Sequence, residues 1–285
     1  LKNSIGLKKE MLKKIDKAAT YLAQNLKALR CPICHSGFNI DKYALICASG
    51  HTYNLNKKGS INFLTTKADT THYTRTMFEP RRKLIQAGMY APVLAEIEKL
   101  VSDGNLLDVG TGEGSFLNQL AVKGGKFGFD IAKDGIQMAS EYTELAAFFS
   151  LADLTNLPFA DQSMTTVLNI FTPSNYKEFK RVLTSSGQVI KVIPDRFYLQ
   201  ELRQAFGMTV DYDNQEVVDK FIDNFPNYSQ TTLQYEFELP HHLQQDFLSM
   251  SPLEWQVSEQ EKREVAKHPP QVATVHVQIL QGKKS

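Results

Sequence analysis

Cysteine and tryptophan are scarce in this chain: 285 residues carry 3 of the first and 1 of the second. So few thiols exclude the disulfide framework of a small secreted protein. An excess of charge of one sign is missing too. The 32 lysines and arginines face 31 aspartates and glutamates, for a formal net charge of +1, so the whole molecule exerts no general pull on a polyanion. No apolar run is long enough to span a bilayer, and the basic N-terminus lacks the hydrophobic stretch of a secretory signal. The expectation is a cytoplasmic protein with no membrane partner. The opening on Leu1 rather than methionine reads as numbering that starts inside a longer product.

What cysteine there is lies together, as Cys31-Pro-Ile-Cys34 and then Cys47-Ala-Ser-Gly-His51. Zinc takes four soft or borderline ligands in a tetrahedron, and a tight Cys-x-x-Cys turn supplies two of them. Cys47 and His51 supply the other two once the chain has gone out and back as a hairpin, with Gly37 and Gly50 at the sharp turns. His35 is a rival fourth ligand, but its place beside Cys34 is poorly suited to closing the tetrahedron. The expected site is Zn2+ on Cys31, Cys34, Cys47 and His51. A module of roughly 40 residues cannot bury a self-sufficient core, so a metal staple suits it.

Charge that balances overall is uneven locally. Residues 1–30 hold Lys2, Lys8, Lys9, Lys13, Lys14, Lys17, Lys27 and Arg30 against Glu10 and Asp16. Such an extension either touches phosphate or is a solvated helix face. Residues 7–29 have the apolar spacing of an amphipathic helix. The expected organisation is a basic helical extension over 1–30, a zinc-binding domain over 31–66, a linker and helix over 67–100, and a larger domain over 101–285. The 53–64 stretch reads as a strand and turn of the zinc module, 65–76 as a polar loop, and 80–100 as helical. Beyond them, apolar runs at 106–109, 127–131, 147–151, 166–171 and 188–193 alternate with helical stretches around 115–122, 135–142 and 176–183. That alternation predicts a parallel sheet with helices on both faces. Half-buried alternation at 231–239 and 272–280, around a helical 242–250, predicts an antiparallel pair finishing the sheet.

The chemistry concentrates at the ends of these strands. Leu106-Leu-Asp108-Val-Gly110-Thr-Gly112-Glu-Gly114 leads from an apolar strand through three glycines into a helix opening at Ser115 and Phe116. Glycines let the backbone approach a ligand, and a helix N-terminus offers free N–H groups. A dinucleotide fingerprint reads G-x-G-x-x-G. The tighter G-x-G-x-G here, behind Asp108, suits the ammonium and carboxylate of a methionine-like moiety instead. The next strand ends in Gly128-Phe-Asp130, where a carboxylate can accept both ribose hydroxyls of an adenosine. After the third comes Ala152-Asp153-Leu154, with Asp153 for the adenine amino group and Leu154 against the ring. Three acidic strand ends in succession point to an α/β, Rossmann-like class I S-adenosylmethionine-dependent methyltransferase. Its sheet is mostly parallel with a late antiparallel strand, and a small zinc-ribbon-like domain precedes it.

A Cys-x2-Cys-x12-Cys-x3-His module followed by this glycine-rich strand end resembles the RlmA family, the 23S ribosomal RNA guanine-N1 methyltransferases. The resemblance runs from about Cys31 to Leu280. It is carried by Cys31-Pro-Ile-Cys34, His51-Thr-Tyr-Asn-Leu, Gly59-Ser-Ile-Asn-Phe-Leu, Arg81-Arg-Lys-Leu-Ile-Gln-Ala-Gly-Met-Tyr90-Ala-Pro, the 107–114 loop, Ile170-Phe-Thr-Pro173 and Met250-Ser-Pro-Leu-Glu-Trp255. It implies S-adenosyl-L-methionine and Zn2+ as cofactors and 23S rRNA as partner, and it adds Tyr90 and Tyr198 to the cofactor set. Tyr198 stands where the family more often shows a histidine, and Val182-Leu-Thr-Ser-Ser-Gly187 replaces its usual Lys-Pro-Gly-Gly turn.

Guanine N1 lies on the Watson–Crick edge, so a paired target has to be exposed or flipped out. In the expected fold Asn169-Ile-Phe171-Thr-Pro173 sits beside the methyl donor and supplies the base pocket, with Phe171 to stack and Asn169 to hold the edge. No histidine or glutamate there announces a general base. Lys57, Lys58, Arg75, Arg81, Arg82 and Lys83, with Tyr53 and Tyr73 for stacking, form the expected RNA grip. The competing readings are a methyltransferase of the same fold acting on tRNA or a small molecule, and a non-catalytic zinc-ribbon RNA-binding factor. A homodimer is left open.

Overall fold

The computed structural model describes residues 12–66, 70–71, 73–142, 146–208 and 213–284. Lys2, Lys8, Lys9 and Glu10, with the start of the helix expected over 7–29, lie outside them. Helix α1 (Lys14–Asn25) leads into a 3-10 turn (Leu26–Ala28). Ala18 and Leu22, one turn apart, are wholly buried and set its inward face. Strands β1 (Phe38–Asp41), β2 (Ala44–Cys47) and β3 (Thr52–Asn54) then form a small antiparallel sheet.

The large sheet contains β4 (Ile61–Asn62), β5 (Leu106–Val109), β6 (Lys126–Asp130), β7 (Phe148–Leu151), β8 (Met164–Ile170), β9 (Leu183–Pro194), β10 (Tyr228–Glu238) and β11 (Val272–Lys283). Its order is β10-β11-β9-β8-β5-β6-β7-β4. The pairs from β4 to β9 are parallel, whereas β11 runs antiparallel to both β9 and β10. The expected sheet is therefore present, with β11 inserted between β9 and β10.

Helices α2 (Arg75–Gln86), α3 (Ala91–Leu100), α4 (Ser115–Gln119), α5 (Lys133–Ala139), α6 (Tyr176–Val182), α7 (Gln200–Ala205), α8 (Gln215–Asn224), α9 (Gln244–Ser249) and α10 (Glu259–Val265) complete the chain. Successive residues of β5 point to opposite faces. Leu107 packs into a cluster with Leu22, Phe159, Phe179 and Phe221, and Leu106 into one with Ile97, Leu117, Leu202 and Phe247. The small sheet and α1 belong to the first cluster, so the cysteine-bearing module is built onto one face and edge of the large sheet.

Three local outcomes differ from expectation. The 53–64 stretch divides: Thr52–Asn54 pairs within the small sheet, but Ile61–Asn62 pairs with β7. The helix expected over 80–100 is two. It begins early because Met77 and Phe78 bury against Ala132 and Met138, and it breaks where Gly88 adopts φ +94°, before Pro92 opens α3. Helices α7, α8 and α10 have no counterpart among the sequence-predicted elements.

Candidate active site and metal centre

Strand order reverses between β5 and β8, and a crevice outside the carboxyl ends of the strands is where open α/β sheets bind ligands. Both loops that flank this point are shaped by necessity. Gly110 has φ +68°, and a Cβ there would lie 2.5 Å from Thr172 Cγ2, so only glycine lets the two loops meet. The Gly112 amide donates to Asp130 Oδ2 and the Ala132 amide to Asp130 Oδ1, each at 2.8 Å. This fixes the carboxylate at the cavity wall, and burial pushes its pKa above the ordinary carboxylate range.

A cavity of about 300 Å³ opens at the crevice. It brings together Tyr90, Gly110, Gly112, Asp130, Phe171, Pro173 and Tyr198 from the expected set. Asp108, Gly114, Ser115, Phe116, Asp153, Leu154 and Asn169 lie outside its wall. Asp108 is buried beneath the glycine loop, where Thr111 Oγ1 donates to it at 2.6 Å and burial pushes its carboxyl up to about 7. Phe116 backs Tyr90 edge-on, with ring centres 5.5 Å apart. Asp153 follows β7 as expected, and its Oδ1 accepts from the Thr155 amide at 2.7 Å. The hydroxyls of Tyr90 and Tyr198 are 2.6 Å apart, and Phe171 lies 5.2 Å from Tyr198 and 5.8 Å from Tyr90. Three aromatic rings thus floor the cavity, with Phe171 held at φ +56°.

One expected role changes. Asn169 is fully buried and lies outside the cavity wall. Its Nδ2 donates to Thr172 Oγ1 at 2.6 Å and to the Pro173 carbonyl at 2.9 Å, while its Oδ1 accepts from Ser174 Oγ and from Lys191 Nζ. With its hydrogen-bonding capacity used inside the loop, Asn169 shapes the segment that presents Phe171 and Pro173. Lys191, pushed down to about 8 by burial, braces the same loop through Ser174 Oγ at 2.9 Å.

The cysteines and histidine also converge. The ligand atoms of Cys31, Cys34, Cys47 and His51 all lie within 4.8 Å of one another. Cys34 and Cys47 Sγ are 3.4 Å apart, and His51 Nδ1 lies 3.3 Å from Cys47 Sγ and 3.5 Å from Cys31 Sγ. A zinc tetrahedron would set such edges at about 3.5–3.8 Å from its usual Zn–S and Zn–N lengths, so the donors fit that ion in kind and these three separations come near its spacing. His35 stays outside the group, exposed. Hydrogen bonding from Ser36 pulls the Cys34 thiol down to about 5, which favours the thiolate that a metal binds.

Residues 100–250 match a family model described as a methyltransferase domain. Over 275 residues, 90% of this chain and 96% of its counterpart, the sequence is 36% identical to YxjB of Bacillus subtilis (strain 168), provisionally named a 23S rRNA (guanine-N1)-methyltransferase. The chain belongs to the 23S rRNA (guanine-N1)-methyltransferase family. The 23S rRNA (guanine(748)-N(1))-methyltransferase of Streptomyces fradiae is 25% identical over 264 residues, covering 88% of this chain and 93% of that one. A Micromonospora griseorubida relative, provisionally named a 23S rRNA (guanine-N1)-methyltransferase, is 26% identical over 259 residues, covering 81% and 88%.

The RNA grip expected of this family member is largely paired within the protein. Arg82 Nε meets the buried Glu113 carboxylate at 2.9 Å, and its Nη2 donates to the Glu113 carbonyl. Glu113 in turn accepts from Ser115 Oγ at 2.7 Å. Arg82 is therefore a brace of the glycine loop. Arg75 pairs with Glu141 at 2.9 Å, Lys58 with Glu141 at 3.6 Å, and Lys83 with Asp246 at 2.8 Å. Tyr53 faces Cys31 and packs on Phe38 and Phe63. Arg81 differs: it lines the cavity, with its guanidinium over the Phe116 ring. Glu113 was the residue to notice in sequence, an acid between two glycines with a double arginine upstream.

Proposed function

We propose that the chain methylates N1 of a guanine in a 23S rRNA hairpin, with S-adenosylmethionine over the glycine loop and zinc on Cys31, Cys34, Cys47 and His51. The observation that carries this reading is one cavity in which Asp130, the glycine loop and the Tyr90–Phe171–Tyr198 floor meet, in a member of this family. When bound, S-adenosylmethionine supplies a methyl group activated on a sulfonium. The protein's part is to position both partners. Asp130 takes the ribose, Asp108 offsets the ammonium from beneath the loop, and Asp153 with Leu154 takes the adenine end.

N1 of a paired guanine is engaged on the Watson–Crick edge, so the guanine enters unpaired. Phe171 and Pro173 offer the apolar surface on which it stacks. N1 must lose its proton, and the described lining residues include no histidine or glutamate. Arg81 stabilises the negative charge that develops on the base as the proton leaves to water. The protein works where ribosomal RNA is, in the cytoplasm, and among the described residues no helix is long and apolar enough to cross a membrane.

The test is transfer of a tritiated methyl group from S-adenosylmethionine to unmodified 23S rRNA, to tRNA and to free guanosine in parallel. Incorporation into 23S rRNA alone is expected. Incorporation into tRNA or guanosine with none into 23S rRNA would move the substrate to the competing class.

A further inference from the structure

Two of the exposed large apolar side chains in the described structure stand together beside the cavity. Tyr73 is 43% exposed and Trp255 36%. They come from distant segments, the approach to α2 and the 3-10 turn Pro252–Gln256 between α9 and α10. Their ring centres are 5.2 Å apart and the planes meet at 89°. At these exposures part of each side chain meets solvent.

Both supports are fixed. The Arg75 amide donates to Asp134 Oδ2 at 3.0 Å, which anchors the start of α2. Ser251 Oγ accepts from the Leu253 amide at 3.2 Å, and Glu254 meets Lys262 Nζ at 3.6 Å on the turn that carries Trp255. Tyr73, Leu253 and Gln256 line the cavity together with Arg81. Trp255 meets that wall through its contact with Tyr73. The aromatic surface is thus continuous with the reaction cavity, and a cation stands in the same wall.

We propose that Tyr73 and Trp255 form a stacking platform for the unpaired nucleobase next to the target guanine, at the rim of the methyl-transfer cavity. The proposal rests on the rRNA reading above. A guanine that leaves its helix to enter the cavity takes a stacking partner away from its neighbour, and an aromatic rim replaces it. Such stacking tolerates any base, because every base has a π-face. Arg81, in the same wall, offers a cation to the phosphate between the two nucleotides.

Trp255 is the only tryptophan of the chain, so tryptophan emission reports this site alone. The probe is a transcribed hairpin containing guanine 748 of 23S rRNA, the position in the name of the Streptomyces fradiae relative. It carries a terminal fluorescein for anisotropy, and S-adenosylhomocysteine is present throughout. Emission is expected to be quenched in step with the rise in anisotropy. Trp255→Ala should weaken hairpin binding by on the order of tenfold, Trp255→Phe should recover most of the loss, and S-adenosylhomocysteine affinity should stay at the wild-type value in both. Rising anisotropy with unchanged emission, or wild-type hairpin affinity in Trp255→Ala, overturns the platform and leaves the rRNA reading intact. Equal quenching by S-adenosylhomocysteine alone overturns it too, since the pair would then cover the cofactor. Flat anisotropy removes the rRNA reading and the platform's occupant with it.

Discussion

At Arg82 a charge that the sequence offers to RNA is used inside the protein, where it neutralises Glu113 under the glycine loop. Glu113 is 3% exposed, and leaving such a carboxylate without its partner costs about 3–5 kcal/mol. Arg82→Glu should therefore lower the unfolding temperature and weaken S-adenosylhomocysteine binding, whereas Arg81→Glu should spare the fold and act on RNA. Thermal unfolding with calorimetry checks this, and wild-type cofactor affinity in Arg82→Glu would contradict it. Asp108 supplies a second prediction. Burial raises its carboxyl to about 7 in the folded chain, so the folded state keeps a proton that the unfolded state has already lost. Its contribution to stability is fully present below the unfolded pKa and is lost as pH rises through about 7. Cofactor binding has the opposite sign, because an ammonium favours the carboxylate. Affinity for S-adenosylhomocysteine should fall as pH drops from 7 towards 5, by up to about tenfold per unit, and Asp108→Asn should flatten that slope.

Among the elements, the first metal knuckle and the segment after β7 form one unit. Asn156 Nδ2 donates to the Pro32 carbonyl at 2.7 Å, the Arg30 amide to the Pro158 carbonyl at 3.1 Å, and the Ala160 amide to the Ala28 carbonyl at 2.9 Å. Loss of the proposed zinc should thus be felt in the segment proposed to hold adenine. Chelation, or Cys47→Ser, should speed amide exchange in 31–54 and also in 155–161, read by mass spectrometry. Unchanged protection in 155–161 would show that the module stands apart. Strands β5 to β9 and their terminal acids were legible because parallel strands buried on both faces must be apolar runs. β4 was not, since two residues carry no period and Ile61 is placed by its partner Ser150. The role of Asn169 was equally hidden, because it depends on Lys191, which only the pairing of β8 with β9 brings beneath it. The hydroxyl contact of Tyr90 with Tyr198 spans 108 positions; family resemblance suggested both residues, and no local pattern could.

For the whole molecule, a net charge of +1 means that RNA has to be held by a few local groups rather than by a general field. Hairpin affinity should fall with rising salt through those contacts, while S-adenosylhomocysteine affinity should barely move. The function turns on the atom that receives the methyl group. N1-methylguanine cannot pair, so it halts reverse transcriptase, and primer extension along unmodified 23S rRNA treated with the purified protein and S-adenosylmethionine locates it directly. A single new stop is expected, at a guanine in a hairpin, absent without the methyl donor. A transcript read through without a new stop, by a protein preparation that methylates tRNA or a small molecule, would contradict it.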